Sequence, residues 1–310
     1  MARGWNVSAV AGDEALELPS TRARPGALRL RLRTLRDRAV VALCCLALAA
    51  AIVPLVWVLW EVVSVGARHI SWEFLTSLPG PMHMPGGGWA NAIVGSFVVV
   101  GVAAAIGVPI GAGTGIYLAE YGRHNALGRV TRFLAEVMAG LPSIVAGVVA
   151  YGLIVVTMGG FSALAGGVAL SALFIPIVAI TTQEALQMVP KAHREASYAL
   201  GVSESSTVLR VVLPAAMGNV LTGVMIATAR IAGETAPLLF TAFHSRFFLE
   251  GLDRPTGTLT VMIYNYAISP YENAHNQAWA GALVLLAVVL ITNVMARTLW
   301  ARRARFMRGG

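Results

Sequence analysis

Charge is scarce in this sequence. Only 12% of the 310 residues are charged, 15 of them acidic, while 57% are hydrophobic and the mean hydropathy is +0.71. Soluble domains carry about 25% charged residues, so this balance places the chain among membrane proteins. Lysine is scarcer still: Lys191 is the only one, it follows Pro190, and no glycine-rich stretch precedes it. A phosphate-cradling loop of the form G-x-x-x-x-G-K-[ST] is therefore excluded, and nucleotide binding of that kind with it. The two cysteines, Cys44 and Cys45, are adjacent within an apolar run. Adjacency disfavours a bond between them, and lipid-facing or packed thiols are ordinary there. The net charge of +8 comes from arginines gathered at the ends of apolar segments, without a basic stripe interleaved with aromatics. That is a membrane pattern and not a nucleic-acid surface.

What is abundant is apolar length. Runs bounded by charges or Gly/Pro clusters predict six spans, at about 40–65, 91–118, 133–157, 160–182, 211–240 and 278–298. The first follows the arginine-rich stretch from Arg22 to Arg38, as the core of a secretory signal would. Its apolar run from Ala39 to Val65 exceeds the roughly 7–15 residues of such a core and is long enough for a retained span. With the N-terminus inside, only Arg68, Arg246 and Arg254 fall outside, and Arg230 lies within a span; every other basic residue is cytoplasmic. Cytoplasmic loops hold the excess of arginine and lysine. Both termini and the loop 183–210 are therefore expected in the cytoplasm, and 66–90 and 241–277 outside. Residues 1–38 are expected to form a basic, disordered tail, with Leu28 to Arg38 lying along the anionic inner leaflet or serving only as a topogenic signal. The membrane domain is expected over 39–300, followed by a second basic tail over 301–310.

Between the fourth and fifth spans a polar insert reads E-A-S-Y-A-L-G from Glu195 to Gly201, and V-V-L-P closes it at Pro214. Pro190 suits the first turn of a helix, Lys191 to Leu200 can continue it, Gly201 ends it and Ser203 can cap a second helix. Two helices meeting at a glycine hinge would offer a rigid knob to another protein. The fifth span contains R-I-A-G-E-T-A-P-L from Arg230 to Leu238. Arg230 and Glu234 are spaced to share one helical face, and Thr241 returns to nearly the same angle. An arginine at the bilayer centre costs about 2.5–3.5 kcal/mol on insertion scales, so it should face the bundle or a watered path and pair with Glu234. Two readings compete: an ion pair that locks helices, or an anion path in which Arg230 lowers the barrier and Glu234 keeps it from becoming a trap. Pro237 deprives the Gly233 carbonyl of its helical partner, which favours a kink there.

Other features read plainly. Met82-His83-Met84 lies in a Gly/Pro-rich segment and is taken as a loop, with no metal site. Gly107, Gly111 and Gly115 form a stripe suited to close helix packing. Glu61 and Glu136 fall near span ends, where carboxylates reach water.

Glu195, Ala196, Gly201, Leu213 and Pro214 match, with spacing intact, the E-A-A-x-x-x-G-x9-I-x-L-P loop of permease subunits of bacterial ABC importers. Ser197 replaces the second alanine and Val211 the isoleucine. This resemblance implies an all-α integral membrane fold of six transmembrane helices with a cytoplasmic coupling-helix loop, the type I importer architecture. It also implies a non-catalytic subunit in which those five residues, Glu195 and Gly201 above all, couple to an ATPase. G-E-T-A-P-L preceded by R-I-A, and L-P-S-I-V-A-G from Leu141 to Gly147, resemble the phosphate-specific permeases, and Pro237 favours their A-type over the C-type. By that resemblance Arg230, Glu234, Thr235 and Pro237 are candidate path or ion-pair residues and the substrate is inorganic phosphate. The implied partners are an ATPase dimer that holds ATP and magnesium, a second homologous permease and an extracytoplasmic phosphate-binding protein. The implied location is the bacterial plasma membrane, with no cofactor on this chain. Sulfate, molybdate and amino-acid importers share the coupling loop, so the substrate reading rests on the fifth span. A proton-coupled secondary transporter and a membrane scaffold remain as alternatives, the former without a convincing inverted repeat to support it.

Overall fold

A bilayer core offers the backbone no water, so apolar segments satisfy their amides internally, as helices. The computed structural model describes residues 27–84 and 86–308, and among these every regular element is helical. The expectations for residues 1–26 and 309–310 lie outside the described residues. In order come α1 (Ala27–His69), α2 (Trp72–Thr76), α3 (Ala90–Ile116), α4 (Ala126–Ala139), α5 (Ser143–Ala150), α6 (Val156–Met158) and α7 (Ala163–Gln187). Then follow α8 (Lys191–Ala199), α9 (Glu204–Thr207), α10 (Leu213–Ala232), α11 (Ala236–Leu239), α12 (Leu259–Ala267) and α13 (Glu272–Arg308). Single π turns at Tyr117–Tyr121, Tyr151–Val155 and Val208–Val212 extend α3, join α5 to α6 and join α9 to α10. Among the described residues five helical stretches are long and apolar enough to cross a membrane, or six with the bent pair taken as one span.

Internal packing divides the chain at Val58. The unit before it is helical from Ala27, so the basic stretch from Leu28 to Arg38 runs into the first span as one helix. Cys44 and Cys45 are exposed and form no disulfide on this helix, and Leu43, Leu46 and Trp57 are exposed on its surface.

The unit from Leu59 onward is organised around α7. The most apolar stretch of α7 is 67% buried, against 22% for the span built on α3 and 28% for the one containing α10, which makes α7 the hub. The glycine stripe of α3 seats it. A β-carbon at Gly107 would come within 2.8 Å of the Phe174 ring, one at Gly111 within 2.8 Å of Val178, and one at Gly115 within 2.6 Å of Thr182. Both series rise together, so α3 and α7 run parallel at backbone-limited separation, the use of small residues expected between helices in lipid. α10 crosses α7 in the opposite sense, with Gly223 against Thr181, and Ala227 and Ile231 complete a core with Val99, Leu170 and Phe174.

Two predicted spans are discontinuous. The third is α4 and α5–α6, bent by 103°. Pro142 disfavours helical backbone at Leu141, and Gly140 ends α4, so the chain turns at Gly140-Leu141-Pro142. The fifth span was expected to kink near Pro237; instead α10 stops at Ala232 with Gly233 as its cap, and Pro237 begins a new helix in the first turn of α11. Proline clashes with the carbonyl four residues back, here that of Gly233, and is well suited to a helix start.

The expected two-helix knob is also different. Only α8 stands apart; α9 runs through the π turn into α10, making one stretch from Glu204 to Ala232. Pro214 lies just beyond that π turn, where its missing amide hydrogen loosens the helical ladder.

Candidate functional site

The two discontinuities meet. Met138, Ala139, Leu141, Pro142 and Ser143 from the third span, Leu173 and Ile177 from α7, and Arg230 and Glu234 enclose a cavity of 240 Å³. Leu173 and Ile177 fall near the middle of α7, so the cavity lies halfway along the central span. The motifs at its walls touch: a β-carbon on Gly147 would meet Pro237 Cα at 2.7 Å, which packs α5 directly on α11. Thr260 Oγ1 donates to the Glu234 carbonyl at 3.0 Å and fixes the broken segment against α12. The first turn of α5 begins at the cavity, and its cap residue, Pro142, makes no side-chain capping bond. Helix N-termini carry partial positive charge, so this wall and the Arg230 guanidinium both favour an anion.

Arg230 and Glu234 share the cavity without forming the expected ion pair. Among the described residues the ion pairs are Arg194–Glu120 and Arg254–Asp253. The reason is the break: once α10 ends at Ala232, the four-residue spacing no longer sets one helical face. Arg230 is exposed and Glu234 half-buried, so the cavity opens out of the chain. Thr235 lies on the other side of the break, where it lines a groove with Gly233, Thr260 and Leu59. Pro237 is buried, and Thr241, beyond the break and so no longer in helical register with Arg230, donates its hydroxyl to the Pro237 carbonyl at 2.7 Å.

The knob is held by chemistry that sequence reasoning passed over. Arg194 Nη2 reaches Glu120 Oε1 at 2.7 Å and Nε reaches Oε2 at 3.1 Å, a two-pronged contact. Two further N–H groups bind the carbonyls of Val189 at 2.8 Å and Leu186 at 3.0 Å. One side chain therefore ties α8 to the π turn ending the α3 span and to the end of α7. The hydrogen bond to Glu120 raises the Arg194 pKa above its ordinary value, with burial opposing. The available signal was an acidic residue in Y-L-A-E-Y, at the same end of its span as the knob.

Gly201 has φ 76°, its amide donates to the Tyr198 carbonyl and Val202 donates to that of Ser197, the left-handed helix stop that glycine adopts without strain. Ser197, one of the departures from the coupling-loop pattern, is buried and its hydroxyl lies 2.8 Å from that of Thr207 in α9, bridging the hinge. Ser203 occupies the cap position of α9, but its hydroxyl bonds Ser206 and not the helix backbone. Glu195 and Ala196 are exposed on α8, Leu213 is half-buried and Pro214 exposed at the start of α10.

The model of the family described as "Binding-protein-dependent transport system inner membrane component" matches residues 107–305. The chain is 43% identical over 249 residues to the phosphate transport system permease protein PstA of Yersinia pestis, covering 80% of this chain and 84% of that one. It is 40% identical to the PstA of Haemophilus influenzae, with 87% and 95% covered. Among solved structures, a chain of a bacterial alginate ABC transporter in complex with its pentasaccharide-bound periplasmic protein superposes with a TM-score of 0.63 at 12% identity, over 88% and 98% of the two chains. A chain of the MetNI methionine ABC transporter, from inward facing conformations, gives 0.52 at 19% identity, over 70% and 92%. At those identities the likeness concerns the fold, that of type I ABC importer permeases. With the family model spanning most of the helical unit and relatives matched along nearly their whole length, the chain belongs to the binding-protein-dependent transport system inner membrane components, and within them to the A-type permeases of phosphate systems.

Proposed function

We propose that this chain is the non-catalytic permease subunit of an ATP-driven phosphate importer, lining the path together with a second, similar permease. The observation that carries this reading is the mid-span cavity where two broken spans bring an unpaired guanidinium, a carboxylate and a helix N-terminus together. The names of the relatives add the substrate class. Discontinuous helices near the membrane midplane are where transporters hold ions, because exposed amides and carbonyls there replace water. Arg230 offers a forked donor to a phosphate oxyanion. Glu234 accepts a hydrogen bond from an oxygen that still carries a proton, as phosphate does near neutral pH and sulfate does not, and its charge keeps the anion from being held too tightly to leave. Arg230 is open on one side, which the second permease closes.

Energy enters through α8. The chain has no P-loop, so ATP and magnesium are bound by a partner ATPase dimer seated on Glu195, Ala196 and the Gly201 hinge, with Leu213 and Pro214 at the base of the fifth span. Both termini and the knob face the cytoplasm of a bacterial cell, and an extracytoplasmic binding protein delivers phosphate to the opposite end. The test is uptake of labelled phosphate by the reconstituted complex against sulfate and molybdate competitors. Phosphate should be preferred, and Glu234→Gln should narrow that preference over sulfate; equal competition by all three anions would refute the substrate assignment. An engineered cysteine at position 193 that is labelled only from outside intact cells would refute the orientation.

A further inference from the structure

A second group of basic side chains lies away from the central cavity. Beyond the π turn that ends the α3 span, Gly122 and Arg123 lead into α4, which carries Arg129 and Arg132 one turn apart. With Glu136 and Gln187 these arginines bound a cleft of 600 Å³. The connection is drawn tight: Gly122 and Gly128 approach so closely that a β-carbon on Gly128 would collide with the Gly122 carbonyl, and this brings Arg123 and Arg129 to one opening. Arg123 Nε donates to the Ala119 carbonyl at 2.7 Å, which orients its guanidinium and leaves the two terminal amino groups available. Glu136 lines the same cleft, yet among the described residues none of the three arginines forms an ion pair. Three guanidinium groups around one carboxylate leave an excess of positive charge facing an open volume.

The opposite side of α4 indicates the depth of this cleft. Leu127, Val130, Leu134 and Val137 recur at helical spacing and are all exposed. Arg129 and Arg132 fall in the first half of α4, opposite large apolar side chains, which sets that end of the helix at the boundary between acyl chains and water. We propose that Arg123, Arg129 and Arg132 form a binding site for a phosphate group, distinct from the central cavity and set at headgroup depth. Forked guanidinium donors match the oxygens of a tetrahedral phosphate, and that chemistry is shared by the headgroup of an anionic phospholipid and by free inorganic phosphate. α4 would then carry an anion site at each end, since Met138 and Ala139 border the central cavity. The inference depends on the arginine geometry and stands whether or not phosphate is the transported ion.

The assembled complex carrying Arg230→Gln, which removes the central guanidinium, provides the test in two arms. One measures equilibrium binding of radiolabelled inorganic phosphate in detergent. The other measures, by native mass spectrometry, phospholipid retained from nanodiscs of phosphatidylcholine with or without phosphatidylglycerol. At least one arm should show binding, and Arg129→Gln with Arg132→Gln should weaken it about a hundredfold, about tenfold for each charged hydrogen-bonding partner removed. Lysine at both positions should restore part of it. Binding confined to the first arm identifies a soluble anion, and binding confined to the second a lipid headgroup. Absence of binding in both arms, or binding that the double substitution leaves unchanged, overturns the proposal. Should the double variant fail to assemble, phenylglyoxal footprinting of the unsubstituted complex decides: modification of Arg129 and Arg132 should slow with inorganic phosphate or phosphatidylglycerol relative to chloride at equal ionic strength, and equal rates overturn the site.

Discussion

Two arginine–glutamate pairs behave in opposite ways. Arg230 and Glu234 are close in sequence, share a cavity and do not pair, whereas Arg194 and Glu120, 74 residues apart, form a forked contact with side chains only 13% and 7% exposed. Helical register joins neighbours only while the helix lasts, and at Gly233 it does not. The paired arginine has spent four of its five donors on Glu120, Leu186 and Val189 and holds structure. Arg230 makes no ion pair among the described residues, and under the proposed function its donors serve the transported anion. The same residue types thus pair as a strut in one place and stand apart around a cavity in the other, and the conformation of the intervening backbone decides which.

Removing the strut should have the largest effect. Arg194→Ala leaves Glu120 buried without its partner, and breaking such a pair costs about 3 kcal/mol or more. The expected result is a clearly earlier thermal transition of the assembled complex and weaker coupling of ATP hydrolysis to uptake. Replacing both partners, with Glu120→Gln and Arg194→Met, should restore much of the stability without restoring the coupling. If the double variant couples normally, the contact contributes stability alone and the position of α8 does not depend on it.

At the cavity the sign is reversed: Arg230→Gln should leave folding and assembly unchanged, because no protein partner is abandoned, and should reduce phosphate uptake about a hundredfold, near 2.7 kcal/mol. Arg230→Lys should recover part of the loss. A variant that inserts normally and transports at the unsubstituted rate would remove Arg230 from the path.

Composition, apolar run length and the distribution of arginine made the helical fold and six crossing segments legible, and the glycine stripe at 107, 111 and 115 announced the α3–α7 contact. The breaks were less legible. Gly140-Leu141-Pro142 and Gly233 to Pro237 each contain the residues that stop a helix, but glycine and proline are tolerated inside membrane helices when neighbours satisfy the freed backbone, as Pro109 in α3 and Pro176 in α7 illustrate. Whether such a position kinks or breaks depends on what packs beside it, here Gly147 and Thr260. The Glu120–Arg194 contact was invisible for a related reason: its partners meet only after α3 and α7 have packed in parallel.

Ser197 tests the hinge on a smaller scale. Its hydroxyl and that of Thr207 are both buried and bonded to each other across Gly201, so Ser197→Ala strands the Thr207 hydroxyl. The expected loss is about 1–2 kcal/mol in thermal stability, and adding Thr207→Val should return most of it, because replacing both partners removes the unsatisfied group. Equal losses in the single and double variants would show that the stranded Thr207 hydroxyl is not the source of the loss.

The smallest effect separates opposite-charge pairs from a like-charge neighbour. His244 lies in the loop between α11 and α12; burial first, and Arg246 second, hold its pKa below the ordinary 6.5. Its buried Nδ1 has no hydrogen-bond partner among the described residues. The unfolded chain therefore takes up a proton more readily than the folded one. The stabilisation is fully present above about pH 6.5 and is lost as the pH falls from there through the lower folded value. The thermal midpoint should decline modestly between about pH 7 and pH 5, and His244→Gln should flatten that part of the profile while leaving the Arg194–Glu120 contribution intact. Arg246→Gln should flatten it less, because burial is the larger cause; a greater effect from Arg246→Gln than from relieving burial would mean that charge repulsion governs this loop as charge attraction governs the strut.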